Sequence, residues 1–248
     1  MARATSPDPA AAGDAGPAAS APKAPDPRDR IVDALMDLLA TRRWDEVGLA
    51  DVAGRSDVGL AELRALFPSK GAILAGFVRR IDLDVLSHDM KDMADEPVRE
   101  RLFDVLMRRF EAVKDHREAL RSIRDGLRTD PMGAAALNQV ATSSMQWMLA
   151  AAGVQEAGLV GTMRAQGLVL VLGRVFDVFL NDPDESLART MKALDAELRR
   201  AEGWARRADD LGRLTAPFRE AVERVFGRSS GRSRDREKDG GDGMASAA

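Results

Sequence analysis

Cysteine and tyrosine are both absent from this 248-residue chain, and aromatic residues of any kind make up only 4% of it. Without cysteine there is no disulfide, no thiolate metal site and no cysteine nucleophile, which fits a reducing cytoplasmic setting. Scarce aromatics, with Leu, Ala, Val and Met supplying the apolar mass, favour helix over sheet, because β-branched and aromatic residues dominate strands. Histidine is nearly missing as well: His88 and His116 are the only two, with no carboxylate at metal spacing on a shared face. No metal and no cofactor is therefore expected, and His116, after Asp115, reads as a helix-start residue. The chain has no GxSxG elbow, no Walker loop and no GxGxxG following a strand. Paired carboxylates such as Asp209 and Asp210 fall on a charged surface, so no enzyme is indicated.

Long apolar runs are missing too. The longest candidate, residues 167–180, is interrupted by Arg174 and Asp177 and reads as a buried helix rather than a membrane span. The first residues lack the apolar core of a secretory signal, and two Asp and five Pro by residue 25 argue against an organelle presequence. The expectation is a cytoplasmic protein. A net charge of −3 excludes a protein that coats nucleic acid without specificity.

What is present is helical period. Residues 1–27, rich in Ala, Pro, Gly and Asp, are expected to be disordered. From Arg28 onward Ile31, Val32, Leu35, Leu38 and Leu39 form one face of a first helix, with Trp44 as a plug just beyond it. Leu49, Val52 and Ala53 mark a short second helix, followed by the turn Gly54-Arg55-Ser56-Asp57-Val58. Leu63, Leu66 and Phe67 mark a third, which Pro68 stops, and Ser69 is placed to cap the next. Two short helices around a tight turn present the second one outward, as a rod fit for a DNA major groove.

The phrases Asp51-Val52-Ala53 and Phe67-Pro68-Ser69-Lys70 stand where the TetR/AcrR regulators carry aspartate-isoleucine-alanine and phenylalanine-x-serine-lysine. Residues 28–77 thus resemble the DNA-binding domain of that family. The resemblance implies an all-α TetR-like fold: a helix-turn-helix domain over 28–80, then a ligand-binding and dimerisation bundle over 81–203. It also implies a ligand-responsive repressor binding pseudo-palindromic operator DNA as a homodimer. The reading set would be Gly59, Leu60, Ala61, Glu62, Arg64, Ala65 and Lys70. Asp57 replaces the family's usual turn glycine, and an aspartate adopts the left-handed conformation more readily than most residues. Glu62 offers a phosphate the wrong sign. Residues 28–80 hold nine Arg or Lys against eight Asp or Glu, a thin electrostatic footprint.

In the second part, apolar positions at three- and four-residue spacing predict helices over 97–114, 116–128, from Pro131 through Met148, over 156–181, and from Leu187 to Leu198. The 156–181 helix is apolar almost all round, so it is expected to be hidden on several faces, including by a two-fold interface with its neighbour. Gly158, Gly161 and Gly167 within it suggest close helix packing. Phe103, Met107, Phe110, Met145, Trp147, Met148 and Phe176 are concentrated here; Met and aromatics adapt to irregular apolar guests, so they are candidates to line a chamber for a small hydrophobic ligand, against the plainer reading as core. Arg174 either pairs with Asp177 at i+3 or faces an anionic ligand group.

Beyond residue 203 an amphipathic stripe follows: Leu211, Leu214, Phe218, Val222 and Val225. Five Arg stand against four Asp or Glu between 205 and 226. Packing on the protein or its dimer partner is the favoured role of this added helix, 204–226. Peripheral membrane contact through 211–226 is the alternative. Residues 227–248 read as a disordered tail. The stretch from His116 to Arg200, with MQWMLAAAG and NDPDESLARTMKALDAEL, is similar to the TetR-fold lipid-binding proteins of coenzyme Q biosynthesis. That similarity implies a rival function, carriage of an isoprenoid-like lipid without DNA binding.

Overall fold

The computed structural model describes residues 26–88, 93–155 and 158–203, and no strand occurs among them. The first helix, α1 (Pro27–Leu39), starts where Pro27 needs no amide partner and Asp26 accepts a hydrogen bond from the Arg28 amide at 2.9 Å. Its inner face buries Ile31, Leu35, Met36 and Leu39 almost completely. A 3-10 turn (Trp44–Glu46) leads to α2 (Leu49–Ser56) and α3 (Leu60–Leu66). Ser69 accepts from the Ala72 amide at 3.1 Å and opens α4 (Lys70–Ser87), which runs without a break past residue 80 from the small N-terminal unit into the bundle.

The bundle continues with α5 (Val98–Val113), a 3-10 turn (Lys114–His116), α6 (Arg117–Leu127), α7 (Pro131–Ala151) and α8 (Gly158–Leu180). A last helix, α9, covers residues 188–203. Asp182, buried before α9, accepts from the amide and the hydroxyl of Thr190, both at 2.8 Å. Burial pushes its carboxyl up, but the bonds from Thr190, with the Asp184 amide and the Arg117 charge, together hold the group below the usual carboxylate range. The breaker read at 181–183 is thus also a capping device.

One continuous apolar core joins both parts, from Ile31 in α1 to Leu198 in α9. The helices fall where the apolar spacing predicts, and both α4 and the core cross residue 80. The end segments 1–25 and 204–248, including the 211–226 stripe, lie outside the described residues. Among the described residues no helix is long and apolar enough to cross a membrane.

α8 is less hidden than its composition suggests. Ala165, Val175 and Phe179 are fully buried, with the Phe179 ring 5.0 Å from that of Phe110. Leu159, Val160, Met163 and Leu170 lie on the surface of the single chain. Two of its glycines also differ from expectation. A Cβ at Gly158 or Gly167 would meet nothing within 4 Å, and Gly158 is required instead by its positive φ of 72°. Only Gly161 is buried.

Candidate functional site

The N-terminal unit is built to hold one short helix out into solvent. Asp51, third residue of α2, accepts from the Gly48 amide at 2.8 Å and pairs with Arg42 at 3.2 Å. The amide bond, then the guanidinium, hold its carboxyl below the usual range. α2 ends at Asp57, which takes the left-handed conformation (φ 52°, ψ 48°), as the turn demands. In α3 only Leu63 is buried, and half-buried Leu66 packs beside it on the core. Gly59, Leu60, Ala61, Glu62, Arg64 and Ala65 are all exposed, and Arg64 makes no ion pair among the described residues.

Lys70 does not join that surface. It was placed by sequence as a phosphate contact, but its ammonium is half-buried and donates to the carbonyls of Trp44 (2.5 Å) and Val47 (2.8 Å). It also sits 4.2 Å from the centre of the Trp44 ring. Desolvation lowers its pKa, against a smaller opposing pull from Asp45. Lys70 is a clamp on the loop before α2, since a cation over an indole and two carbonyl acceptors leave it little reason to extend outward.

The bundle contains a cavity of about 460 Å³ lined by α4, α5, α6, α7 and α8 and open on one side, within the range of small-molecule sites. Its inner wall is apolar: Leu74, Phe77 and Ile81 from α4, Phe110 and Val113 from α5, and Ile123 from α6. Arg124, Arg128, Asn138 and Gly173 stand around the rest of the lining.

Of the residues expected in a chamber, Phe110 and Phe176 do line this cavity. Met107, Met145 and Met148 are core residues packed elsewhere, and Phe103 is half-buried against that core. Trp147 is exposed on α7 beside Leu83, at a separate pocket of about 600 Å³ between α4 and α7. Helical spacing identifies apolar faces, but it does not distinguish a face that packs from one that lines a space. Arg174 satisfies neither reading made of it. It is exposed and pairs with Glu197 of α9 at 3.2 Å, while Asp177 is taken by Arg124 of α6 at 2.7 Å. Those partners lie on other helices, so local spacing could not reveal them.

Two further features escaped the sequence. Asp82 is buried in α4, where Arg109 of α5 and Ser144 of α7 (2.7 Å) both donate to it. The second feature is the back of α6. A Cβ on Gly126 would come within 2.5 Å of the Trp44 Cβ, and the Ser122 hydroxyl donates to the Arg42 carbonyl at 2.9 Å. α6 therefore faces the cavity with Ile123 and Leu127 and backs onto the loop that Lys70 clamps. The glycine in REALRSIRDGL was the available signal, and its partner 82 residues earlier was not.

These parts define a class: an all-helical protein with an outward-facing helix-turn-helix joined through a shared core to a bundle that contains a cavity. Among solved structures the class has a name, the TetR fold. The TetR transcriptional regulator from Nitrosomonas europaea ATCC 19718 is 23% identical over 71% of this chain and 97% of its own, with a TM-score of 0.56. A TetR transcriptional regulator from Rhodococcus sp. RHA1 is 20% identical over 71% of this chain and 95% of its own, with a TM-score of 0.52. At such identities the likeness establishes the fold. No family model matches the chain, and no curated relative matches it.

Proposed function

We propose that the protein is a ligand-responsive DNA-binding regulator, a repressor that acts as a homodimer on pseudo-palindromic operator DNA. The observation that carries this reading is α3: a helix held to the core by Leu63 and Leu66, with six consecutive or near-consecutive reading positions free in solvent. Arg64 is its cation and makes the base or phosphate contact, while Gly59, Ala61 and Ala65 permit close approach to the groove. Lys70 holds the loop before α2 instead of touching DNA.

The regulatory route runs from the cavity through α6 and α4. α4 lines the cavity with Leu74 and Phe77 and begins at Lys70; α6 lines it with Ile123 and rests on Trp44 through Gly126. A guest that spreads these helices shifts the Trp44 loop and with it α2 and α3. The guest regulates only if it binds one dimer geometry better than the other. Exposed Leu159, Met163 and Leu170 on α8, with Met191 on α9, supply the apolar face of the dimer.

Selection from random duplexes at low salt tests this reading. An enriched inverted repeat is expected, bound less tightly by Arg64→Ala, by about 1–3 kcal/mol if the side chain contacts a base. Failure to enrich any sequence would favour the second reading, a carrier of hydrophobic, isoprenoid-like lipid that keeps the fold without reading DNA. That reading rests on Leu60 and Glu62, which stand exposed on the presumed reading face where a phosphate would meet an apolar or acidic group. Lipid co-purifying with the protein, seen by native mass spectrometry, is its expected sign.

A further inference from the structure

The lining of the cavity is not uniform, and its asymmetry points to a kind of guest. The residues at its inner end, including Phe77, Phe110 and Ile123, are buried and apolar. The exposed members of the lining are Arg128 at the C-cap of α6, Asn138 on α7 and Gly173 on α8, which together mark the mouth. All charged lining residues are arginines, and none is a carboxylate.

The arginines differ in how far their donors are already used. Arg109 is held by buried Asp82. Arg124 is held by Asp177 at 2.7 Å and Asp125 at 2.9 Å, both of which lie outside the lining. Asp130, at the same end, is turned to the Gly133 amide as the cap of α7. Arg128 has only a loose approach to Asp125 at 3.7 Å and no hydrogen bond among the described residues, with its side chain 64% exposed. Its planar fork of donors is therefore available at the mouth of an otherwise apolar space, and such a fork matches a carboxylate or phosphate. A neutral apolar guest would leave those donors to water, and a cation would meet three guanidinium groups and no carboxylate in the lining.

We infer that the cavity takes an amphipathic anion: an alkyl or prenyl body against the inner wall, and an oxyanion head at the mouth on Arg128. This rests on the proposal that the cavity is the ligand site, and it adds the ligand's class. A cavity of about 460 Å³ falls in the lower part of the range of small-molecule sites, which suits a medium-chain body.

The test is titration of the full chain, below micelle-forming concentrations, with dodecanoate, dodecyl phosphate, dodecanol and dodecylammonium. At least one of the two anions is expected to bind tenfold or more tightly than dodecanol, and the tighter of them identifies the head as carboxylate or phosphate. Arg128→Gln should remove that advantage and leave dodecanol binding unchanged. Equal binding of acid and alcohol, tightest binding of dodecylammonium, or an unaltered preference in Arg128→Gln overturns the anion assignment while leaving the cavity as the ligand site. If none of the four binds, the cavity reading falls together with it. If the anions bind but no duplex is selected, the inference stands and only the DNA-reading proposal fails.

Discussion

Single side chains carry more of this architecture than their positions suggest. Asp82 is a charge buried inside α4, and its cost is offset only because Arg109 and Ser144 donate to it from two other helices. Removing one partner of such a pair leaves the other charge buried without compensation, a loss of about 3–5 kcal/mol. Asp82→Ala is therefore expected to lower the urea midpoint far more than Asp84→Ala, its exposed neighbour; equal effects would show the pair to be dispensable. His116 is a second case. It meets the Phe77 ring edge-on at 5.1 Å between the two parts of the chain. Burial, then the nearby Arg80 charge, hold its pKa below the ordinary 6.5, against weaker opposing pulls from Asp115, Asp33 and Asp37. With the folded-state value lowered, the unfolded chain binds the proton more readily. Stability is therefore full above about pH 6.5 and declines as pH falls from there toward the lowered value. Melting curves across that window should show the decline in the wild type and a flatter profile in His116→Gln.

At the scale of elements, α6 is the piece on which the two parts meet. Its sequence advertises an amphipathic helix, and the apolar face was legible as Leu120, Ile123 and Leu127. The opposite edge, where Gly126 abuts Trp44, was not, because contact across 82 residues leaves no periodic trace. Gly126→Ala should force α6 off Trp44, since overpacking a tight contact costs typically about 1–3 kcal/mol. A lowered melting temperature with a change in Trp44 fluorescence is the expected result; an unchanged spectrum would show that the loop gives way freely. The helix-turn-helix was the most legible element, down to the left-handed Asp57 and the Ser69 cap. Both are encoded within a few residues, so local chemistry suffices. Asp57→Val should cost about 1–2 kcal/mol at this turn, because a β-branched residue tolerates the left-handed region poorly. Denaturant unfolding measures that difference directly.

On the scale of the whole molecule, the unfinished surface is the outer face of α8. Leu159 is 75% exposed, Met163 66% and Leu170 58%, spaced so that they share one face of α8. Patches of this kind on soluble proteins mark contact surfaces, and a second copy of the same face gives a closed two-fold assembly. Leu170→Glu is expected to convert the protein to monomer in sedimentation at micromolar concentration, with the helical circular dichroism spectrum retained. A dimer that survives this change would move the interface elsewhere. Loss of the dimer should also abolish tight binding to any inverted repeat, since two half-sites then no longer share one protein.

The sequence by itself determined the all-helical class, the boundaries of most helices, and the turn that projects α3, because period, caps and turn chemistry act over one or two helical turns. Composition also marked α8 as the most apolar helix, but not that Leu159, Met163 and Leu170 lie on the surface of the single chain. Only the tertiary structure decided which apolar residues surround a space and which fill the core, so Phe110 and Phe176 line the cavity while Met145 and Met148 do not. Charges followed the same rule: Arg174 went to Glu197, Asp177 to Arg124, and Lys70 turned inward to the Trp44 loop. Long side chains pair with whatever the packing of distant helices brings within reach, and that proximity is a property of the assembled core rather than of any stretch of sequence.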